Sequence, residues 1–277
     1  MNKNNILKIT SCSLLLLLIF LISGCSLIQQ YRSSLINEIR NEYVEYEQNI
    51  TVSDIEDALV VASDVAKSAS IGVLVKSKSF MSGDVSGSAV ILKRVENNNK
   101  TYTYTAVTNR HVSGVKSSSE RYVYLGVDNN GKSIYVDAEL VVYDSTYDLA
   151  LLKFTTGLLL NVASINTEEP KVGSFAIAVG SPYNLEGFFN TVTVGSISAV
   201  NRVYQDEDVN GNTVKNNFLQ HDASINSGNS GGGLFDIYGR LIGINTWKIA
   251  SNLSDDYVGL NFAIPVKEVV ERFKDYL

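Results

Sequence analysis

Residues 221–233 read HDASINSGNSGGG, and this stretch says more about the chain than any other. Ser230 stands between glycines, with Gly228 shortly before it and Gly231 directly after it. Glycine adopts backbone angles that side chains forbid, so such a loop can aim several N–H groups into one small space. Two converging amides, those of Gly228 and Ser230, would form an oxyanion hole. The same composition is also typical of an ordinary turn, so the loop is ambiguous on its own.

The chain contains two histidines, and a serine nucleophile needs one of them as its base. His111 ends the β-branched and aromatic run YTAVTNRH, so we expect it at a strand end that faces a cleft. His221 lies within the strand that leads to the Ser230 loop, where a buried histidine is the commoner situation. We therefore interpret His111 as the candidate base and His221 as a structural residue.

The third candidate is a carboxylate that would orient the imidazole. Asp148 stands at the mouth of the apolar strand LALLKF, where it is expected to be buried and to need a partner. Asp144, a few residues earlier, is expected to be an exposed turn residue. The chain order His111, Asp148, Ser230 is that of the chymotrypsin fold rather than that of subtilisin or the α/β-hydrolases.

These motifs and others in the same order resemble those of HtrA-type (Deg) serine proteases of the trypsin-like superfamily. The resemblance covers about residues 70 to 270. The matching blocks are GSAVIL (87–92), VTNRHV (107–112), DLALLK (148–153), VGSP (179–182), TVGSISA (193–199), residues 220–233, LIGINT (241–246) and GLNFAIP (259–265). Co-linear blocks are far more specific than any single motif.

The resemblance implies His111 as the general base, Asp148 as the orienting acid and Ser230 as the nucleophile of an acyl-enzyme mechanism. It implies no cofactor and no metal. Three residues depart from the family pattern: Ser227 and Gly233 replace usual prolines, and His221 replaces a usual threonine. Fewer prolines leave the loop more freedom, so the resting oxyanion hole is either preformed or ordered by neighbouring loops, and we expect a peptide substrate to order the loop.

Substrate-binding residues are also implied by the resemblance. Ile225 is expected to line the primary pocket and to favour a small or medium apolar residue before the cut. Thr246, Trp247 and Lys248 follow the strand that would pair with the substrate backbone. Lys248 is either a solvated rim residue or an attractor of acidic substrate residues at the pocket mouth.

The fold class follows from strand patterning and from the family. From about residue 70, short strands alternate with turns, as in an all-β protein. The resemblance makes this two six-stranded Greek-key barrels, chymotrypsin-like, with N-terminal and C-terminal helices. We expect the barrels at about 70–155 and 170–264 and the last helix at about 266–276. The sequence SDIE at 53–56 has a capping-box pattern and predicts the start of an earlier helix.

The N-terminal segment predicts a lipoprotein signal. Residues 14–22 are apolar, follow two lysines and are too few to span a bilayer. They end in ISGC, which resembles the bacterial lipobox that is cut before Cys25; an ordinary secretory signal with a chance cysteine is the alternative. Residues 1–24 are thus a predicted signal peptide, and lipidated Cys25 is a predicted membrane anchor.

The rest of the chain is expected to divide simply. Residues 25–50 are a predicted tether, and residues 51–277 a predicted trypsin-like serine protease domain, with no PDZ domain after it. The motif DEDVNGN at 206–212 matches half of an EF-hand loop but lacks the bidentate glutamate, so a solvated hairpin is the better interpretation. The formal net charge of −6 argues against nucleic acid as a partner.

The sequence therefore predicts a serine endopeptidase anchored by lipid to the extracytoplasmic face of a bacterial cell membrane. Its expected substrates are unfolded or damaged exported proteins, and the chain is compatible with a homo-oligomer. One alternative is a pseudoprotease that binds peptides without turnover. Another is a solute-binding or structural lipoprotein, which would have no use for the Gly-Asn-Ser-Gly-Gly loop.

Overall fold

The computed structural model describes residues 33–34, 51–77, 83–114, 119–207, 213–248 and 259–277. The chain divides into two compact units, Met1–Glu56 and Asp57–Leu277. The predicted signal peptide, Cys25 and nearly all of the predicted tether lie outside the described residues. Within the described ranges, no helix is both long and apolar enough to cross a membrane.

Helix α1 spans Val52–Ser68 and begins with a reciprocal cap. Thr51 Oγ1 accepts a hydrogen bond from Asp54 N at 3.2 Å, and the Asp54 carboxylate accepts one from Thr51 N at 2.7 Å. The expectation that Ser53 caps this helix is wrong, because Ser53 already lies inside it. The pair Thr51 and Asp54 has the same spacing and satisfies the first amides instead.

Six antiparallel strands close the first barrel in the order β1-β2-β3-β6-β5-β4. Its strands are β1 Ser70–Lys76, β2 Val85–Glu96, β3 Tyr102–Asn109, β4 Glu120–Val127, β5 Ser133–Asp144 and β6 Leu149–Thr156. A short helix, α2, spans Arg110–Ser113 directly after β3. Closure of the sheet leaves no unpaired edge.

The second barrel repeats the topology of the first. Its order, β10-β11-β12-β9-β8-β7, is the first barrel's order shifted by six strands and read in reverse. Its strands are β7 Phe175–Gly180, β8 Thr191–Glu207, β9 Thr213–His221, β10 Gly233–Phe235, β11 Leu241–Lys248 and β12 Asn261–Pro265. The predicted fold class, two six-stranded barrels with helices at each end, is confirmed.

A large apolar cluster joins side chains of both barrels to the helices. The C-terminal helix α3 spans Val266–Phe273, slightly shorter than expected, and buries Val266, Val269 and Phe273 at helical spacing. Members of the cluster include Ala62 and Ala66 of α1, Val107 and Leu149 of the first barrel, Ile177 and Leu241 of the second, and Val269 of α3. Each barrel also has a smaller core of its own. The loops that carry the candidate site residues are positioned by this packing.

Candidate active site

His111 lies in α2, immediately after β3, as the sequence predicts for a strand end. Strand β3 pairs with β6 in a register that sets Asn109 opposite Leu149. Because Asp148 directly precedes Leu149, this register brings the residues that follow β3 beside Asp148. The His111 side chain is 49% exposed, so its ring remains accessible from solvent.

Two hydrogen bonds join His111 to Asp148. The backbone N–H of His111 donates to Asp148 Oδ1 at 2.9 Å, and His111 Nδ1 lies 2.6 Å from Asp148 Oδ2. Since a carboxylate only accepts, Nδ1 carries the proton, and Nε2 of the neutral ring keeps its lone pair. This is the tautomer that a general base requires.

The backbone of Asp148 is held in an unusual conformation. Its φ angle is +54°, a left-handed value that costs a residue with a side chain about 1 kcal/mol. Its carbonyl accepts hydrogen bonds from Arg110 N at 2.9 Å and from Asn109 Nδ2 at 3.0 Å. The Asp148 side chain is 32% exposed, so the carboxylate is only partly buried, less than the sequence predicts; it lies at the rim of the barrel beside an accessible ring.

Ser230 lies in the loop between β9 and β10, and its hydroxyl donates to Thr246 O at 3.0 Å. Within the described part of the chain, it makes no hydrogen bond to His111. The hydroxyl must therefore rotate about its Cα–Cβ bond before a proton can pass to the imidazole. A serine χ1 rotation of this kind is a change between staggered wells.

Thr246 contacts both the nucleophile and the acid. Besides accepting from Ser230, it brings its Oγ1 to 3.4 Å from Asp148 Oδ2. The pairing of β11 with β12 is irregular at this point, between Asn245 and Trp247. Such irregularities re-aim a residue out of the ladder and are common beside active sites.

The N–H of Gly228 donates no hydrogen bond to any residue that the structure describes. The carbonyl of its own peptide unit, Ser227 O, accepts from Tyr183 N at 2.7 Å. Because the N–H and C=O of a trans peptide point in opposite directions, the Gly228 N–H faces away from Tyr183. Only glycine fits here, since its φ is +100° and a Cβ would overlap Ser181 O.

The Ser230 amide is set in the same way. Asn229 O, in the same peptide unit, accepts from Gly232 N at 2.9 Å, which turns the Ser230 N–H to the other side. Across the residues that the structure describes, this N–H also donates no hydrogen bond. The N–H groups of Gly228 and Ser230, which are separated in the chain by Asn229, are thus both unused. The predicted oxyanion hole requires these two donors. The geometry favours a preformed hole over one that a substrate orders.

Ser88, in β2 of the first barrel, is a functional candidate that sequence reasoning missed. Its buried hydroxyl donates to Gly228 O at 2.7 Å and accepts from Ser181 N at 2.8 Å. Its backbone N–H donates to Ser230 O at 2.9 Å. One residue of the first barrel therefore holds both residues of the predicted oxyanion hole. The matching block GSAVIL contains Ser88, but nothing in that block reveals partners so far along the chain.

The remaining predicted site residues are less fully described. Ile225 is only 6% exposed and packs in the core cluster of the second barrel, so little of it is available to a substrate. Trp247 and Lys248 lie in β11, but their side chains are outside the described residues. The predicted lipid-attachment residue, Cys25, also lies outside them.

His221 is fully buried at the end of β9. Burial lowers its pKa to about 4, partly offset by the Ala223 backbone and by nearby Asp222 and Asn245. The imidazole is therefore neutral near pH 7. Among its described contacts, none involves Ser230 or His111, in keeping with the structural interpretation of this histidine.

Comparison with protein families gives a match over most of both barrels. Residues 87–244 match the family described as "Trypsin-like peptidase domain". The "Serine protease Do-like HtrA" of Bacillus subtilis is 35% identical over 222 residues, which are 79% of this chain and 46% of that protein. The "Serine endoprotease DegS" of Salmonella typhimurium is 41% identical over 161 residues, which are 57% of this chain and 41% of that protein.

Solved structures give a similar result. An "HtrA-type protease AlgW with tripeptide" has a TM-score of 0.58 at 31% identity, over 78% of this chain and 62% of that one. A serine endoprotease from Yersinia pestis has a TM-score of 0.55 at 32% identity, over 77% of this chain and 64% of that one. The chain spans about half the length of the curated relatives that it matches.

Proposed function

Because the chain belongs to the family of trypsin-like peptidase domains, we propose that it is a serine endopeptidase that cleaves unfolded or damaged exported proteins. The predicted kinship with HtrA-type serine proteases is supported by relatives and solved structures of that type. We further propose that a lipidated Cys25 anchors the protein to the extracytoplasmic face of a bacterial cell membrane.

One observation carries the proposed activity: His111 and Asp148 are paired at 2.6 Å, and Thr246 links that pair to Ser230. The pairing leaves Nε2 of the imidazole as the available acceptor. A serine hydroxyl is a weak nucleophile until such an acceptor takes its proton. The three side chains come from three separate connections between strands, which follow β3, β5 and β9.

The chemistry would run in two halves. Ser230 Oγ attacks the scissile carbonyl carbon while its proton passes to His111 Nε2, and Asp148 stabilises the imidazolium without becoming protonated. The same proton then passes to the leaving amine as the peptide C–N bond breaks, which leaves an acyl-enzyme ester. Water attacks that ester with His111 again as base, and Ser230 regains its proton.

The amides of Gly228 and Ser230 would supply the electrostatic part of catalysis. Negative charge develops on the substrate carbonyl oxygen as Ser230 attacks, and two preset N–H donors stabilise it without any reorganisation. Each donor of this kind is typically worth a factor of about 10² to 10³ in turnover. The hydrogen bonds from Tyr183 N and Gly232 N to the adjoining carbonyls support this role, because they fix both peptide units.

Substrate class is proposed from the family resemblance, which implies Ile225 at the primary pocket; the small exposed part of this side chain is aliphatic. A branched aliphatic residue at the primary pocket offers no partner for a buried substrate charge. We therefore expect cleavage after small or medium apolar residues. Such residues are exposed mainly in unfolded proteins, which agrees with the proposed role in clearing damaged exported proteins.

Hydrolysis of casein by purified protein tests the activity. Ser230→Ala should lower turnover by about 10⁶ while the circular dichroism spectrum stays unchanged, since one hydroxyl is removed. Ser174→Ala, in an exposed turn between the barrels, is the matched control and should retain wild-type turnover. Casein cleavage by Ser230→Ala at the wild-type rate would contradict the proposal. Peptide binding without cleavage by the wild type would favour the pseudoprotease alternative.

Fractionation of cells tests the anchor separately. Cys25→Ala should leave the protein unprocessed or release it from the membrane fraction, because the acyl chains have no attachment site. Cys12→Ala, within the predicted signal peptide, changes the chain's other cysteine and should remain membrane-bound. The lipoprotein assignment fails if the Cys25→Ala protein is processed normally and stays in the membrane as firmly as the wild type.

A further inference from the structure

The turn that precedes Asp148 is held by the C-terminal helix of the second barrel. Arg272, on α3, lies with its guanidinium 3.8 Å from the ring centroid of Tyr147, the residue next to Asp148. That is close enough for planar stacking combined with cation–π attraction. Tyr147 itself is buried in the apolar cluster that also contains Val269 and Phe273 of α3. The position of Tyr147 is thus set by α3.

A second set of contacts holds the same turn through Asp144. Arg272 Nη1 lies 3.5 Å from Asp144 Oδ2, while Asp144 Oδ1 accepts a hydrogen bond from Tyr147 N at 2.9 Å. Glu268, one turn earlier on α3, holds the other end of the guanidinium at 3.4 Å. The expectation that Asp144 is an exposed turn residue is wrong, since its side chain is mostly buried between these partners.

A strand of the second barrel adds a further contact. Asn216, in β9, donates from Nδ2 to the carbonyl of Thr146. Asp144, Thr146 and Tyr147 of the first barrel are therefore all tied to elements of the second. Asp148, the next residue, is the acid that pairs with His111.

These contacts matter because of the left-handed conformation of Asp148. Its φ of +54° describes the rotation about the N–Cα bond of Asp148, which joins the Tyr147–Asp148 peptide to the rest of Asp148. On one side, the Asp148 carbonyl is fixed by Arg110 N and Asn109 Nδ2. On the other side, the position of the Tyr147–Asp148 peptide depends on the contacts that hold Tyr147. A strained residue persists when its surroundings over-determine it, and release of Tyr147 would let the Asp148 carboxylate relax away from the imidazole.

We propose that Arg272 is a positioning residue for the acid of the catalytic site, acting through Tyr147 and Asp144 on Asp148. The C-terminal helix of the second barrel would thereby control how well the base on the first barrel is oriented. This inference rests on the proposed function for its kinetic consequence, but its structural consequence, the geometry of the His111–Asp148 hydrogen bond, can be measured without turnover.

The test compares Arg272→Ala and Arg272→Lys with Lys267→Ala in the full chain. Lys267 is a cation of the same helix that pairs with Glu271 at 3.7 Å and does not contact the turn. Arg272→Ala should lower kcat by about tenfold to hundredfold with little change in KM, because a displaced orienting group affects the transition state and not substrate binding. Arg272→Lys keeps the charge but loses the planar stack, so its kcat should lie between that of Arg272→Ala and wild type. Lys267→Ala should match the wild type.

Proton NMR supplies a readout that general destabilisation does not move. A short Nδ1–H to carboxylate hydrogen bond gives a resonance far downfield of other imidazole protons. In wild type and Lys267→Ala this resonance should be present, and in Arg272→Ala it should shift upfield or broaden at a temperature well below unfolding. If Arg272→Ala does not fold, Arg272→Lys carries the same comparison.

Two outcomes would overturn the proposal. One is kcat of Arg272→Ala within twofold of wild type, and the other is an unmoved imidazole resonance despite a lower kcat. Absence of turnover in the wild type itself would instead count against the proposed function, and the NMR comparison would still decide the role of Arg272.

Discussion

The connection from β3 to β4 and the connection from β9 to β10 occupy the same place in the same barrel topology. The first carries His111, whose accessible ring is tied by one nitrogen to Asp148 and keeps the other for reaction. The second carries Ser230 in a glycine-rich loop. The carbonyls of Ser227 and Asn229 accept hydrogen bonds there, and the N–H groups of Gly228 and Ser230 donate none to a described residue. A base needs one side-chain atom available, whereas an oxyanion hole needs a fixed backbone. The candidate base and the candidate oxyanion hole therefore lie at topologically equivalent connections of the two barrels.

The largest effect is expected from the first of these connections. His111→Ala removes the proposed acceptor of the Ser230 proton, and turnover should fall by about 10⁶. Because the base and nucleophile act as a unit, the double variant His111→Ala with Ser230→Ala should be no worse than either single variant. Steady-state rates on a casein substrate check both statements. Additive losses in the double variant would show that the two residues act independently.

A smaller loss is expected from the second connection. Gly228→Ala places a side chain at φ +100° against Ser181 O, so the amide must move and kcat should fall by about 10² to 10³. Gly173→Ala is the control, because Gly173 has φ +87° but open space where a Cβ would stand. It should lose stability slightly and keep its kcat. Equal kinetics for the two variants would argue against an amide role for Gly228.

Loss of the contact between the first barrel and the Ser230 loop should have a still smaller effect on kcat. Ser88→Ala removes the hydroxyl that holds Gly228 O and Ser181 N, and kcat should fall by about tenfold. Ser70→Ala removes another buried hydroxyl of the first barrel, one that donates to Ala66 O at 2.9 Å away from the loop. Both variants should unfold at lower denaturant concentration, but only Ser88→Ala should lose activity. A kcat for Ser88→Ala equal to that of Ser70→Ala would contradict this role.

The smallest effect concerns stability rather than rate. The pKa of buried His221 is about 4, below its ordinary 6.5, so the unfolded chain takes up this proton first as pH falls. The free energy of unfolding should therefore decrease by about 3 kcal/mol between pH 6.5 and 4 on account of this residue. Urea unfolding of wild type and His221→Thr across this range measures the difference. Parallel pH dependence in the two proteins would refute the assignment.

The sequence was sufficient for much of this picture because local patterns carry it. Alternating strands and turns predict the barrels, and the blocks around His111, Asp148 and Ser230 predict the site. Ile225 shows a limit of such motifs, since its side chain lies almost wholly in the barrel core. The motif fixes a position in the chain but not the share of a side chain that reaches the cleft.

Two residues that sequence reasoning missed or misjudged depend on long-range contacts. Ser88 meets Gly228 across the two barrels, and Asp144 meets Arg272 of the last helix. No local pattern distinguishes a turn aspartate with a distant arginine from one in solvent. The start of α1 was misplaced for a different reason: Thr51 and Ser53 both fit the cap pattern, and only the folded helix selects one.

The central claim is that Ser230 is a nucleophile activated by His111 and Asp148, and active-site labelling tests it most directly. A fluorophosphonate probe should react with the wild type at one residue, and mass spectrometry of the digested protein should locate the adduct on Ser230. Labelling should be absent in Ser230→Ala and strongly slowed in His111→Ala, because the hydroxyl then has no base. An adduct at another residue, or equal labelling of wild type and Ser230→Ala, would contradict the account.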